Sequence, residues 1–585
     1  MHTHTRFSKT LKRAAVGALI ALLLIGALAL DLANHGAAWT LFFRLTGEES
    51  MVAQIRGMIE LGSNLTRPPL DLALDQPVRY ANLSPYGINT FLEQEVEIAK
   101  REQSLRMIAD AGFTWIRQQF SWEDIEVHGR GDFSDRRNEA ITGVVNAWDK
   151  YDNIVDLADQ YGLAIMARLD NPPAWTHANP EIGSFAPPDD VQDFVNFAVT
   201  LAERYRGRIH YYQVWNEPNI YPEWGNQSVN PEAYTELLCR TYHALKAVDP
   251  DIVVITGALA PTLELTGRDL NDLIFLQRMY DAGAGECFDV LSAQAYGFFS
   301  APTDLRTRPT TITFTRHRYL RDLMVANGDT DTPIWLSEAA WNPIDSPEVP
   351  PDVQSREAYG VVTAEQAARY MPMGYELAEQ DYPYLGVMFY WFFKRAGESE
   401  RNQSWYYFRM VEPDFTPRPV YDAMRDYITT QTPILYRGMH EPYGWGTQHD
   451  TGVERINVPD SPYGYAMGLQ QGYASHFRVH GTEAIFRMRA AFGTASVIVS
   501  VGNDEHRLTV SDQPADYTIP LGMSAATAEI SIRVMQDGNP LYVESVQVND
   551  HTLKNVLPVF AVAVVPVGIL LVISAYVWLE HRRKA

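Results

Sequence analysis

Two short stretches carry the residues best able to do chemistry. Val214-Trp215-Asn216-Glu217-Pro218-Asn219 ends an apolar run that begins at Ile209, and Ile334-Trp335-Leu336-Ser337-Glu338 ends another. Each places one glutamate where a buried strand is expected to stop. Two carboxylates flanked by aromatics and an amide suit cleavage of a glycosidic bond. One, protonated, gives its proton to the leaving oxygen; the other, ionised and about 5 Å away, attacks the sugar carbon. Their pKa values must be pushed apart, so their surroundings must differ. Glu217 lies between Asn216 and Pro218, whereas Glu338 follows Ser337 and has Trp341 three positions on.

The elements that must position these residues alternate in type. Tyr86–Asn89, Phe113–Gln118, Leu163–Leu169, Ile209–Trp215, Ile252–Thr256, Asp289–Ala293, Ile334–Leu336 and Val387–Trp391 read as strands. Ser104–Ala111, Ile154–Gln160, Val191–Tyr205 and Pro231–Ala247 read as helices between them. Continuous apolar strands alternating with amphipathic helices predict a parallel sheet. Eight such units predict a (β/α)8 TIM barrel over residues 84–428, with its site at the C-terminal strand ends. Glu217 then ends the fourth strand and Glu338 the seventh. A doubly wound sheet would open on a glycine-rich phosphate turn, and the sequence has none. Residues 429–472, rich in Pro, Gly and Tyr, read as a linker. Short alternating segments within 473–552 predict an antiparallel β-sandwich. Residues 36–83 read as an irregular lead-in.

On these motifs the chain resembles the clan A glycoside hydrolases, retaining (β/α)8 enzymes, and within them family 39 and its relatives in family 5. Trp215-Asn216-Glu217-Pro218 and Trp335-Leu336-Ser337-Glu338 carry the resemblance, with Ala111–Arg117, Trp122-Glu123 and Asn171–Trp175 in support. The resemblance implies Glu217 as acid/base and Glu338 as nucleophile. It implies Asn216 on the sugar 2-hydroxyl, Arg117 beside Glu338, Tyr296 donating to the nucleophile and Trp391 as the floor under the sugar ring. Gln294 stands two residues before Tyr296, where the clan often has histidine. Trp122, Trp175, Trp224 and Trp341 fall on loops near strand ends, where they either stack on sugar or pack; Trp175 and Trp341 are counted with the substrate-binding set.

A formal net charge of −24 repels phosphate backbones and suits a neutral or cationic ligand, so nucleic acid is not expected as a partner. Cys239 and Cys287 are the two cysteines, and only the fold decides whether they meet. No cysteine–histidine pattern suggests a metal site, and the chemistry needs no cofactor.

Residues 14–30 are small and aliphatic, preceded by Arg6, Lys9, Lys12 and Arg13, so 1–35 reads as a signal anchor or signal peptide. Residues 556–579 are apolar over enough length to span a membrane, and the tail 580–585 is basic. Basic flanks stay in the cytoplasm, which predicts membrane segments at both ends and a catalytic domain outside the cytoplasm. The expected function is a membrane-tethered retaining hydrolase of β-linked oligo- or polysaccharide. The alternatives are a transglycosylase and a non-catalytic carbohydrate-binding or assembly protein.

Overall fold

The structure is a computed structural model that describes residues 2–64, 67–306, 308–536 and 538–552. The described residues divide into two compact units, one comprising 2–64, 67–68, 303–306, 308 and 552, the other 69–302, 309–536 and 538–551.

In the larger unit the eight strands β1 Tyr86–Thr90, β2 Trp115–Ser121, β3 Ala164–Asp170, β4 Tyr211–Asn216, β5 Val253–Ala258, β6 Leu291–Gln294, β7 Ile334–Ala339 and β8 Leu385–Tyr390 form one parallel sheet. The sheet order runs from β5 through β4, β3, β2, β1, β8 and β7 to β6. Parallel bridges Ile255–Val290 and Leu259–Ala293 join its two edges, so the barrel is nearly closed. One helix follows each strand: α1 Ile98–Asp110, α2 Asp149–Gln160, α3 Val191–Arg204, α4 Pro231–Val248, α5 Asp272–Asp281, α6 His317–Ala326, α7 Ala364–Asp381 and α8 Pro419–Thr430.

Five of the eight strands start one or two residues later than the sequence suggests, and the eighth starts two earlier. Phe113, Leu163, Ile209 and Ile252 are buried but precede their ladders. Apolarity marks where the chain enters the core, and the ladder begins only where a neighbour's backbone is in register. Inside the barrel, Trp115, Met166, Val253, Ile255, Val290, Trp335, Val387 and Phe389 form a packed cluster. The Trp335 indole N–H reaches the Tyr80 carbonyl at 3.0 Å. A Cβ on Gly386 would meet that ring at 2.2 Å, so glycine is required for the ring to lie across β8.

The part after the barrel consists of antiparallel sheets. Its strands are β9 Gly438–His440, β10 Thr447–His449, β11 Val453–Asn457, β12 Tyr465–Leu469, β13 Ala474–Gly481, β14 Glu483–Ala490, β15 Thr494–Val501, β16 Asp504–Ser511, β17 Ala515–Pro520, β18 Ala526–Val534 and β19 Leu541–Asn549. One sheet joins β11, β12, β19, β14 and β17, with β9 on β19; the other joins β10, β13, β18, β15 and β16. Both contribute to one core, with Met467, Phe486 and Val543 from the first and Phe477, Val499 and Ile532 from the second. The segment expected as a linker therefore supplies four strands. Its Pro and Gly residues make the turns between strands too short to show a period.

In the smaller unit, helices cover His2–Ala33, Ala37–Thr46 and Met51–Asn64. About half of the lead-in expected to be irregular is thus helical. Its cap comes from outside the helix: Asp31 Oδ1 accepts from the Ala38 and Trp39 backbone N–H groups at 2.8 and 3.1 Å. Gly47, in the left-handed region, ends that helix. Among the described residues no single helix is long and apolar enough to cross a membrane, but Leu19–Ala33 and Ala37–Thr46, bent by 72°, pass that test as a pair. The expected span 556–579 lies outside the described residues.

Candidate active site

The site lies at the C-terminal ends of the barrel strands and is organised around Arg117 on β2. Its guanidinium is almost fully buried and makes four side-chain hydrogen bonds. It donates to Gln213 at 2.7 Å, Asn89 at 2.8 Å, Glu338 at 2.9 Å and Asn216 at 2.6 Å. Those partners come from β4, β1, β7 and β4. A buried cation needs such enclosure, because each unmet donor in a dry site is costly.

Glu338, on β7, is 3% exposed. One carboxylate oxygen takes the Arg117 bond; the other accepts from the Tyr296 hydroxyl at 2.6 Å. Burial and then the adjacent Glu338 charge push the Tyr296 pKa well up, so its hydroxyl keeps the proton it donates. Both oxygens are thus held by donors.

Glu217 directly follows β4 and is half-buried. Trp215 and Glu217 both take positive φ, 77° and 38°, a conformation that costs non-glycine residues energy and must be held from outside. Asn219 does part of this: its amide N–H₂ donates to the Ala260 carbonyl at 2.8 Å and its oxygen accepts from the Ala260 N–H at 2.9 Å. The Tyr234 hydroxyl adds a bond to the Val214 carbonyl at 3.0 Å. Burial, then the Glu338 and Glu223 charges, push the Glu217 pKa well above the carboxylate range; Gln294 and Arg117 oppose the shift. Gln294, opposite Glu338 in the β6–β7 register, donates to Glu217 Oε1 at 2.6 Å. That occupies one oxygen and leaves Oε2 to carry the acidic proton, on the side where the Asn216 amide lies 3.5 Å away. The two glutamates therefore sit in opposite environments, which acid and nucleophile roles require.

Of the remaining sequence candidates, Trp391 directly follows β8, is half-buried, and meets Phe91 edge-on at 5.5 Å. Trp175 is half-buried, edge-on to Trp122, with its N–H on the Glu126 carbonyl. Trp341 departs from the expectation. It is 1% exposed, stacked on Phe314 at 5.5 Å, with its N–H on the Ser300 carbonyl at 2.7 Å, so it packs the shell and offers no face to sugar. Trp122 and Trp224 are buried likewise.

Several site residues escaped the sequence reading. Gln213 is a polar residue inside the apolar run 209–215, and that interruption was its only signal. Asn89 ends β1 without a motif. Tyr359 and Glu223 come from loops. Tyr359 faces the charges of Glu217 and Glu338, which with burial raise its pKa. Glu223 takes a hydrogen bond from Asn216, and burial above all raises its pKa to about 7.

Residues 76–342 match the family model described as cellulase, glycosyl hydrolase family 5. No curated protein matches the chain. Among solved structures it is similar to a family 39 glycoside hydrolase from the gut symbiont Bacteroides cellulosilyticus WH2, with 18% identity, 80% of this chain and 82% of that one covered, and a TM-score of 0.45. It is also similar to a monomeric β-xylosidase from Caulobacter crescentus CB15, with 14% identity, 79% and 98% covered, and a TM-score of 0.41. A third is an exo-β-1,4-mannosidase from Opitutaceae bacterium strain TAV5, with 15% identity, 62% of each chain covered, and a TM-score of 0.40.

Proposed function

We propose that the chain, which matches a family 5 glycosyl hydrolase model over residues 76–342, is a clan A glycoside hydrolase that cleaves β-glycosidic bonds with retention, using Glu338 as nucleophile and Glu217 as acid/base. The observation that carries this reading is the contrast between them: Glu338 held by Arg117 and Tyr296, Glu217 driven towards its protonated form. In the first step Glu338 attacks the anomeric carbon while Glu217 protonates the leaving oxygen. In the second, Glu217 takes a proton from water, which displaces Glu338 from the sugar. Asn216, its carbonyl occupied by Arg117, presents its amide N–H₂ to Glu223 and, at 3.5 Å, to Glu217, and in the substrate complex turns one of these donors to the sugar 2-hydroxyl. Trp391 provides the apolar surface under the ring.

The proposal includes tethering to a membrane with the barrel outside the cytoplasm. Val16, Leu19, Ile20, Leu22, Leu23, Leu24, Ile25 and Leu30 are all more than half exposed on helix His2–Ala33, a distribution that suits lipid better than water. A disulfide joins Cys239 on α4 to Cys287 before β6, as suits an oxidising compartment.

The deciding experiment replaces the nucleophile. Glu338→Ala is expected to lose at least ~10⁴-fold in kcat on an aryl β-glycoside. Azide is expected to restore turnover and give the α-glycosyl azide. Turnover surviving in Glu338→Ala, or azide rescue giving the β-product, overturns the assignment.

A further inference from the structure

A groove of about 450 Å³ lies on the outer face of the sheet that joins β10, β13, β18, β15 and β16. Phe477, Val499 and Ile532 belong to the core beneath, so alternation turns their neighbours outward. Gln448 on β10, His476 on β13, Ser531 on β18 and Ser500 on β15 stand directly opposite one another in register. They form one row across four strands, about 14 Å long. Arg478 and Glu529 face each other in the adjacent row. Trp445, in the turn before β10, also lines the groove and is half-buried. Its backbone N–H donates to the Asn82 carbonyl at 2.7 Å, and its ring meets Tyr86 edge-on at 6.0 Å. Tyr86 opens β1, whereas Glu217 and Glu338 stand at the opposite ends of their strands. The groove is therefore a place apart from the catalytic pair.

Its polar lining is not used by the protein itself. Among the described residues, the side chains of Gln448, His476, Ser500, Glu529 and Ser531 make no hydrogen bond or ion pair. Arg478 Nε is buried and finds no acceptor among them. A buried N–H in that state favours an incoming acceptor.

We propose that this groove binds an uncharged oligosaccharide segment, as a second glycan site remote from the bond that is cut. Its identification with a stretch of the barrel's own substrate rests on the function proposed above. The amide, the imidazole and the two serine hydroxyls each both donate and accept, as sugar hydroxyls do. Arg478 and Glu529 contribute one charge of each sign, so a phosphate or a polyanion meets no net attraction. Trp445 supplies apolar surface for the C–H face of a pyranose ring. The row crosses the strands on the face of the sheet and does not follow an edge, so a peptide strand has no free backbone row to join. A polysaccharide held here and in the barrel at once stays on the enzyme between cuts.

The test titrates the full chain carrying Glu338→Gln, so that bound glycan is not cut, with unbranched β-linked hexasaccharides of glucose, xylose, mannose, galactose and N-acetylglucosamine. At least one is expected to bind. Arg478→Ala is expected to weaken that binding about 10-fold or more, the loss of one charge-assisted hydrogen bond. Ser531→Trp, which fills the groove, is expected to weaken it at least as much. Both side chains point away from the core, a melting curve shows whether each variant is folded, and either one suffices. Should Glu338→Gln itself fail to fold, the titration is made with Glu217→Gln. Binding of none of the hexasaccharides overturns the proposal, and so does binding that both groove variants leave untouched. If either occurs while aryl β-glycoside turnover in the parent still depends on Glu338, the glycosidase reading stands and only the groove assignment falls. Groove-dependent binding in a chain that turns over no glycoside removes the catalytic reading and leaves the groove site in place.

Discussion

At the scale of single residues, the site sets two chemically identical groups in different surroundings. Glu338 meets a guanidinium and a phenol; Glu217 meets an amide, burial and the Glu338 charge. The pH dependence follows from the second of these. The raised pKa keeps Glu217 protonated at low pH, so kcat/KM should fall as pH rises through that pKa and the acid proton is lost. Glu217→Gln should flatten this alkaline limb. It should also slow substrates with poor leaving groups by about 10²–10⁴-fold, and activated aryl glycosides far less, because only poor leaving groups need the proton. An equal loss on both substrate types would remove Glu217 from the acid role. Arg117 gives a different signature. Arg117→Met leaves Glu338 buried without its partner, so the expected cost is about 3–5 kcal/mol of stability, read as a fall in denaturant midpoint, together with loss of activity.

At the scale of elements, each strand end is braced by its neighbour. The loop after β6 carries Tyr296, then Gly297, where an added Cβ would fall 1.8 Å from the Trp341 indole nitrogen. Buried Trp341 is therefore a strut for the residue that donates to Glu338, the proposed nucleophile. Gly297→Ala must shift either the ring or the loop; the expected result is a loss of about 1–3 kcal/mol and a fall in kcat larger than any change in KM. A second brace joins β1 to α7: the Tyr86 hydroxyl donates to Glu379 at 3.1 Å, and burial raises the Glu379 pKa to about 7. The folded pKa exceeds that of an unfolded glutamate, so the folded state binds the proton more tightly. This favours folding fully at low pH and is lost as pH rises from about 4.5 to about 7. Glu379→Gln should raise the melting temperature at pH 8 by on the order of 5 °C and converge with the unaltered protein near pH 4. A constant difference across that range would contradict the assignment.

At the scale of the whole molecule, the disulfide closes a loop spanning a sequence separation of 48 that contains β5 and α5. Chain-entropy arguments give such a crosslink about 4 kcal/mol. Replacing both cysteines by serine should lower the melting temperature, and a reducing agent should do the same to the unaltered protein but not to the double variant. The topology proposal makes its own prediction: a reporter fused after Ala585 should be active only in the cytoplasm. Activity outside the cell would overturn the two-anchor arrangement while leaving the catalytic assignment intact.

The sequence by itself determined the eight-unit order of the barrel and the strand ends that carry the two glutamates. Both are local properties, since burial writes itself into apolar runs and a motif such as Trp-Asn-Glu-Pro is contiguous. It also singled out Arg117 and Tyr296, through resemblance. Tertiary structure alone decided what each side chain meets. Trp341 and Trp175 both follow an alanine just beyond a strand end, yet one is sealed behind Phe314 and the other is half-exposed. Glu223 joins the site only through the hydrogen bond its carboxylate takes from Asn216 and the charge of Arg168. Cys239 and Cys287 are bonded only because α4 and the approach to β6 stand side by side in the barrel wall. Contacts of this kind join residues far apart in the chain, so neither spacing nor composition encodes them; closure of the barrel does.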